Sequence, residues 1–321
     1  MATSYRTNEV QMGKDTDLKH VSDDALKEMV MIQNRIKQLG VKEKSQTDFI
    51  EYVKHVWDGF IEGEHHKLFA EKLERVAQGK CKRLIVNMPP RHTKSEFASV
   101  FFPSWIMGLN PDMKIMQTTH TAELSARFGR KVRNLMDTDE YKQIFDKVSL
   151  SADSKSAGRW ETNKGGEYFA AGVGGAITGR GADLLIIDDP HSEQDALSPS
   201  ALESAYEWYT SGPRQRLQPG GIIVIVMTRW STLDLTEKLI KRMSEDHADQ
   251  WEILELPAIL EDNTPLWPGF WKIEELESVK ASIPISKWNA QYMQNPTSEE
   301  GALIKRDWWQ IWDHDDPPPC S

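Results

Sequence analysis

Cysteine is nearly absent from this 321-residue chain. The two present, Cys81 and Cys320, lie far apart in sequence, which excludes a disulfide framework and a thiolate metal site and fits a reducing compartment. No apolar run approaches the ~20 residues that span a bilayer, and the amino-terminal MATSYRTNEVQMGKD lacks the apolar core of a signal peptide. The expectation is a protein that stays in the cytoplasm where it is made and has no membrane partner. Positive charge is also scarce: 39 Lys and Arg against 49 Asp and Glu leave a net charge of -10. That excludes coating nucleic acid by bulk electrostatics, so any DNA contact must be local. There is no internal repeat and no Cys/His cluster at metal-ligand spacing. His65 and His66 are adjacent and cannot face one ion as an i, i+4 pair does.

What is present is enough apolar surface for a large core. Hydrophobic residues make up 39% and aromatics 9%, with 12 Trp, which suits one large α/β domain or a main domain with an appendage. Residues 1–20 are polar and aperiodic and read as a loose arm. Ser22 reads as the cap of a packing helix running to Gly40, with Leu26, Met29, Ile32 and Ile36 at helical spacing. A second helix is predicted after Thr47, carrying Phe49, Val53, Val56 and Trp57 and ending near Gly59.

From Arg83 onward, short apolar runs alternate with amphipathic stretches. Arg83–Met88 precedes a helix from Lys94, Lys114–Thr119 one from Ala122, Leu184–Ile187 one after Pro199, and Ile222–Met227 one after Thr232. This pattern predicts an α/β fold with a mostly parallel sheet and helices on both faces. Ligands of such sheets bind at the carboxyl edge. After Trp251–Leu256 the texture changes to scattered Trp, Pro and short amphipathic pieces, and Trp312–Ser321 is acidic and then proline-rich, as linkers are. The expected organisation is an arm and helix (1–44), a core (45–256), a small subdomain folding back onto it (257–310) and a linker (311–321).

Two strand ends carry chemistry. In Leu84–Glu96 a buried strand enters a short loop, and a helix begins at Lys94-Ser95. This is the context of a P-loop (Walker A), with backbone N–H groups of Pro90-Arg91-His92-Thr93-Lys94-Ser95-Glu96 and the helix N-terminus around the phosphates, Lys94 neutralising them and Ser95 holding magnesium. Both signature glycines are missing, with Met88 and Thr93 in their places. The same segment also reads as a capping box, Thr93 to Glu96, whose hydroxyl would satisfy a helix N–H. The second strand end is Leu184–Ile187 followed by Asp188-Asp189-Pro190. A carboxylate there can hold magnesium and its neighbour can orient and deprotonate the attacking water, so Asp188 is assigned to the metal and Asp189 to the water. An acidic turn is the alternative.

Thr228, ending Ile222–Met227, can sense the γ-phosphate or cap the next helix, and Arg229 can pair with phosphate or brace Trp230. Gly179-Arg180-Gly181 precedes its strand, at the opposite edge. Arg180 there cannot reach its own subunit's phosphates but can enter a neighbour's site as a trans arginine finger, with Arg91 as the cis alternative. The Gly172–Gly175 run reads as lying before a strand and so is no dinucleotide fingerprint. Ala122–Met136 carries Arg127, Arg130 and Arg133 on one face, spaced to follow DNA phosphates or simply solvated. Phe60, His65 and His66 are candidate adenine neighbours by position alone.

Taken together, Asn87–Ser95 (NMPPRHTKS), Ile177–Asp183 (ITGRGAD), Leu184–Pro190 (LLIIDDP) and Met227–Trp230 (MTRW) resemble the large terminase subunit of tailed bacteriophages, across most of residues 45–310. The resemblance implies a P-loop ATPase of the additional-strand type that uses ATP and Mg2+. It also implies a homo-oligomeric ring, docked through the portal protein on a procapsid in the host cytoplasm, that drives double-stranded DNA inward with the small terminase subunit. A separate nuclease domain that cuts concatemeric DNA is implied too, and this sequence stops where the linker to it is expected. The family has Gly where Thr93 stands. Another nucleic-acid translocase would need a second RecA-like core, for which the remaining chain is short, and a nucleotide-gated scaffold without turnover is the non-enzymatic alternative.

Overall fold

The computed structural model describes residues 23–175, 177 and 179–297. The expected arm, the Ser22 cap and the 311–321 linker lie outside the described residues. The first helix, α1 (Asp23–Thr47), runs through Gly40, where the sequence pattern placed its end. One interior glycine costs only about 1 kcal/mol against alanine, and good helix formers follow it. Asp48 then interrupts the chain and caps α2 (Phe49–Val56), its carboxylate accepting from the Glu51 N–H at 3.0 Å. The expectation that α1 is an ordinary packing helix is not met: Met29, Ile32 and Ile36 are 49%, 52% and 64% exposed.

Eight strands form one sheet in the order β3-β4-β5-β2-β6-β7-β1-β8. They are β1 (Arg83–Asn87), β2 (Lys114–Thr119), β3 (Leu150–Lys155), β4 (Arg159–Thr162), β5 (Glu167–Gly172), β6 (Ala182–Asp188), β7 (Leu217–Met227) and β8 (Glu252–Glu255). All neighbours pair in parallel except β4, which runs antiparallel between β3 and β5. The additional strand β7 separates β1 from β6, so the two strands that end in candidate chemistry are next-nearest neighbours.

Side chains alternate across the sheet and feed two cores, as the period of two in a strand requires. Leu84, Val86, Leu184 and Ile186 join one cluster with residues of α2, α3 (Glu64–Ala77), α5 (Phe102–Leu109) and α6 (Ala122–Met136). Ile85, Leu185 and Ile187 face a second cluster with Tyr209 of α8 (Pro199–Ser211) and Leu235 and Leu239 of α9 (Leu235–Arg242). Both faces are therefore covered. Burying each Leu or Ile contributes roughly 1.5–3 kcal/mol, which explains why the apolar runs fix the sheet centre. A third, small cluster of Ala258, Leu276 and Trp288 forms around α10 (Ile273–Ser282), after β8.

Two readings change here. Gly172 ends β5, so the Gly172–Gly175 run follows a strand, and among the described residues the next element is the strand β6 rather than a helix. A Cβ on Gly172 would lie 2.5 Å from the Ala122 nitrogen, so the start of α6 packs where only glycine fits. Arg229 is taken up by carboxylates rather than by the Trp230 ring. It is 4% exposed and bonded to three carboxylates, Asp234 at 3.0 Å, Glu237 at 2.7 Å and Glu255 at 3.2 Å. Asp234, fully buried, also caps α9 by accepting from the Glu237 N–H.

Arg229 thus ties the end of β7 to α9 and β8. Arg229→Ala leaves Asp234 buried without its cation and is expected to cost about 3–5 kcal/mol, read as a lower urea midpoint. A midpoint within error of wild type would show that the network does not hold these elements together.

Candidate active site at the carboxyl edge of the sheet

The phosphate-loop segment leaves β1 at Asn87 and is fastened to the end of β7. Met88 donates its N–H to the Met227 carbonyl, and the Thr228 hydroxyl donates to the Met88 carbonyl, both at 3.2 Å. The chain then turns through two residues in the left-handed region, Arg91 (φ 62°) and Thr93 (φ 66°), before the helix starts at Lys94. Glycine takes this backbone freely, whereas a residue with a Cβ loses roughly 1–2 kcal/mol, and β-branching makes it worse. Thr93 therefore needs a hold, and His66 supplies one.

The His66 Nδ1 accepts from the Gly63 N–H at 2.9 Å, which leaves the proton on Nε2. Nε2 lies 2.6 Å from the Thr93 hydroxyl, which in turn donates to the His92 carbonyl at 2.6 Å. The capping-box alternative is overturned, because Thr93 makes no side-chain bond to the helix it precedes. The first-turn N–H groups of that helix are left for another partner. His66 is fully buried, and burial followed by the nearby His65 and His92 pushes its pKa down to about 2, so it stays a neutral donor. His65 and His92 are likewise held near 4, chiefly by burial. The adenine expectation for His66 and His65 is corrected accordingly: both rings are sealed behind the loop.

The helix opening at Lys94 runs Lys94–Glu96, passes through a π turn at Phe97–Phe101 and continues as α5. Such turns recur at functional sites. Here Ser95 and Ser99, four residues apart, both reach the same carboxylate. The Ser95 hydroxyl donates to one oxygen of Asp188 at 2.9 Å and the Ser99 hydroxyl to the other at 2.7 Å. Gln117 on β2 donates to the Ser99 hydroxyl at 3.0 Å. Asp188, the last residue of β6, is 1% exposed, and burial, with Asp189 adding to it, raises its pKa to about 7. Ser99 and Gln117 were not anticipated. Their signals were a serine one helical turn beyond Ser95 and a lone amide in the predicted strand Lys114–Thr119.

Asp189 follows in a left-handed conformation (φ 43°) and bonds to groups other than the two serines that hold Asp188. One oxygen accepts from the Thr228 N–H at 2.9 Å and the other pairs with Lys94 Nζ at 2.9 Å. The Thr228 hydroxyl caps no helix; Asp234 does that, and α9 begins at Leu235 rather than directly after Thr232. Ser95 with Asp188 forms an oxygen-donor pair suited to a hard cation such as Mg2+, which takes one or two carboxylates and fills its shell from phosphates and water. Among the described residues there is no cluster of three or more His, Cys, Asp or Glu side chains able to hold a metal alone.

The loop borders a cavity of about 720 Å³ whose lining includes Trp57, Arg91, Lys94, Ser95, Trp267, Phe270 and Trp271. Arg91 is exposed there and Glu96 pairs with Lys131 of α6. Pro90 gives its carbonyl to His92 Nδ1 at 2.8 Å. Phe60 is only half-buried but packs on Trp57 and Phe97, with centroids 5.2 and 5.8 Å away, and does not line the cavity. The remaining candidates lie elsewhere. Arg180, just before β6, pairs with Glu167 and stacks over Phe169 at 4.3 Å. The length of β6 puts it roughly 20 Å from the acids. On α6, Arg127 and Arg130 are exposed and Arg133 is half-buried.

The Thr93 hold is directly testable. Thr93→Val keeps the strained backbone, removes the hydroxyl and leaves the buried His66 N–H unsatisfied, for an expected loss of about 1–3 kcal/mol in urea unfolding. Thr93→Gly loses the same bond but relieves the backbone, so its loss should be smaller by about 1 kcal/mol or more. Equal losses would discard the idea that the hydroxyl compensates for strain.

No protein-family model and no curated protein matches the chain. Solved structures do. The ATPase domain of the large terminase of Thermus phage P74-26 aligns at TM-score 0.47 and 12% identity, covering 77% of this chain and 98% of that one. The large terminase of bacteriophage HK97 aligns at TM-score 0.47 and 11% identity, over 74% of this chain and 51% of that one. The large terminase of a thermophilic bacteriophage, in complex with ADP, aligns at TM-score 0.44 and 12% identity, over 70% of this chain and 52% of that one. This chain thus spans about half the length of the last two terminases. The likeness is one of fold, and the chemistry of the site rests on its own distances.

Proposed function

We propose that this chain hydrolyses a nucleoside triphosphate, ATP in the first instance, at the carboxyl edge of β1, β7 and β6. The observation that carries the reading is a double link between the loop and the strand-end acids: Ser95 to Asp188 and Lys94 to Asp189, each at 2.9 Å. The helix N-terminus and Lys94 would take the phosphates in place of the present Lys94–Asp189 pair. Asp189, released from Lys94 and still fixed by the Thr228 N–H, would accept a proton from water. That water's oxygen bonds to the γ-phosphorus as the bond from phosphorus to the β–γ bridging oxygen breaks, yielding the nucleoside diphosphate and inorganic phosphate. Ser95 and Asp188 would hold Mg2+, which supplies charge neutralisation on the β- and γ-phosphates. Ser99 and Gln117 keep the Asp188 carboxylate turned toward Ser95.

The sequence motifs, in their order, support a more specific reading, a DNA-packaging motor that moves double-stranded DNA into a procapsid. In that reading a homo-oligomeric ring docks on the portal protein and works with the small terminase subunit in the host cytoplasm. Arg127 and Arg130 on the outer face of α6 are the proposed DNA contacts, with Arg133 beside them. Residues 45–256 are the proposed motor core and 257–310 a subdomain, for which the separate Ala258, Leu276 and Trp288 cluster speaks. Among the described residues no helix is long and apolar enough to cross a membrane. A nucleotide-gated scaffold without turnover is the second reading, favoured by the occupied Lys94–Asp189 pair.

Turnover separates these readings. Wild type with DNA should hydrolyse ATP, and Lys94→Ala and Asp189→Ala should each lose on the order of 100-fold or more in kcat. Equal inactivity of all three proteins would leave the scaffold. For the arginine, an assembled mixture of inactive Arg180→Ala and inactive Lys94→Ala subunits should regain activity if Arg180 acts across an interface. No recovery in formed rings assigns the role to Arg91 in cis.

A further inference from the structure

The cavity beside the phosphate loop has one end that suits phosphate and another that phosphate chemistry does not explain. Arg91, Lys94 and Ser95 form the first; Trp267, Phe270 and Trp271, from the short segment between β8 and α10, line the second. Phe270 is stacked on Trp267 (centroids 4.4 Å apart, planes at 17°) yet remains 51% exposed. Trp271 stacks in turn on His92 of the loop, at 6.1 Å and 18°. The rigid packing places a bare aromatic face against an anion-binding loop. Trp267 is 4% exposed, and the indole N–H groups of Trp267 and Trp271 are both buried without an acceptor.

We infer that the Trp267–Trp271 segment is the wall on which the base of the bound nucleotide stacks, and that a purine nucleoside triphosphate is the ligand the whole cavity fits. An anion seat joined to a flat aromatic face matches a phosphate chain joined to a heteroaromatic ring. A purine offers the larger face and ring-nitrogen acceptors for donor-only indoles. The inference rests on the phosphate-loop reading above and deepens it. Its consequence is that the base is held by residues that come after the sheet, not by Phe60 and His66 before the loop. Nucleotide binding would then fasten the segment leading into α10 to the loop, so that the state of the site reaches the carboxy-terminal part of the chain.

The test is calorimetric binding of Mg-ATP and of Mg-tripolyphosphate, which has the phosphates without the base, to wild type, Phe270→Ala, Phe270→Tyr and Lys94→Ala. Phe270 is half exposed, so its removal should lower the unfolding midpoint only modestly and leave the protein folded at the temperature of the binding experiment. Phe270→Ala should weaken ATP by roughly 5- to 150-fold, the range for one base stacked on an aromatic ring, and leave tripolyphosphate unaffected. Phe270→Tyr should restore ATP affinity, and Lys94→Ala should weaken both ligands. ATP affinity unchanged by Phe270→Ala, or equal to that of tripolyphosphate in wild type, overturns the base wall while the phosphate loop stands. Tripolyphosphate binding that ignores Lys94→Ala overturns the phosphate-loop reading itself.

Discussion

A carboxylate without water sets the terms for the rest of this site. Asp188 ends a strand that is buried on both sides, and an ionised group there is tolerated only where hydrogen bonds and charge replace hydration. Its surroundings come from two places: the helix after β1, with Ser95 and Ser99 bound directly and Lys94 as the nearest cation through Asp189, and β2, with Gln117 behind Ser99. Each requirement constrains an element. The helix must start near Lys94 for both serines, four residues apart on one face, to arrive, and β2 must lie beside β6 for the amide to arrive. The place of the loop beside β6 and the neighbourhood of β2 are both consistent with that demand.

The sheet centre was legible in the sequence because it is made of apolar runs. Leu184–Ile187 and Ile222–Met227 can only be strands covered on both faces, and a polar residue at their carboxyl ends must sit at the sheet edge. Asp188, Asp189 and Thr228 were found this way, and so were Lys94 and Ser95. The strands from β3 to β5, at one side of the sheet, were not legible. Leu150–Lys155 is mostly polar, and β4 and β5 are held by Trp160 stacked on Tyr168, a contact between strands that no local periodicity reveals. Arg229 was misread for a related reason: its three carboxylates lie five, eight and twenty-six positions away, and their convergence is a property of the fold.

The loop was the ambiguous part of the sequence, and the ambiguity had a physical origin. Thr93 is a good helix cap and a poor occupant of left-handed backbone, so a local reading favours the capping box. What decides between them is His66, separated by 27 residues and placed by α3. Once its Nε2–H takes the hydroxyl, Thr93 cannot cap, and the helix N-terminus is left open toward the cavity. The missing glycine is thus not a missing function. A side chain at this position converts a freely flexible turn into one fixed by a buried, neutral histidine, whose burial keeps it from taking a second proton.

The same reasoning bears on how tightly the parts are joined. Asn87, the last residue of β1, donates to Glu255 at 3.1 Å and accepts from Thr236 at 3.1 Å, while Arg229 binds the same Glu255 and offers its own N–H to Gln294. The strand that launches the phosphate loop is therefore linked through buried polar contacts to α9 and to a residue beyond α10, and through the half-exposed Glu255 to β8. Buried polar contacts are costly to break singly, because the group left behind has no water to turn to. A displacement at the loop is then more easily met by moving these elements together than by parting them. These contacts run from the ends of β1 and β7 to α9, β8 and Gln294, the direction in which the proposed hydrolysis would have to be transmitted to do work.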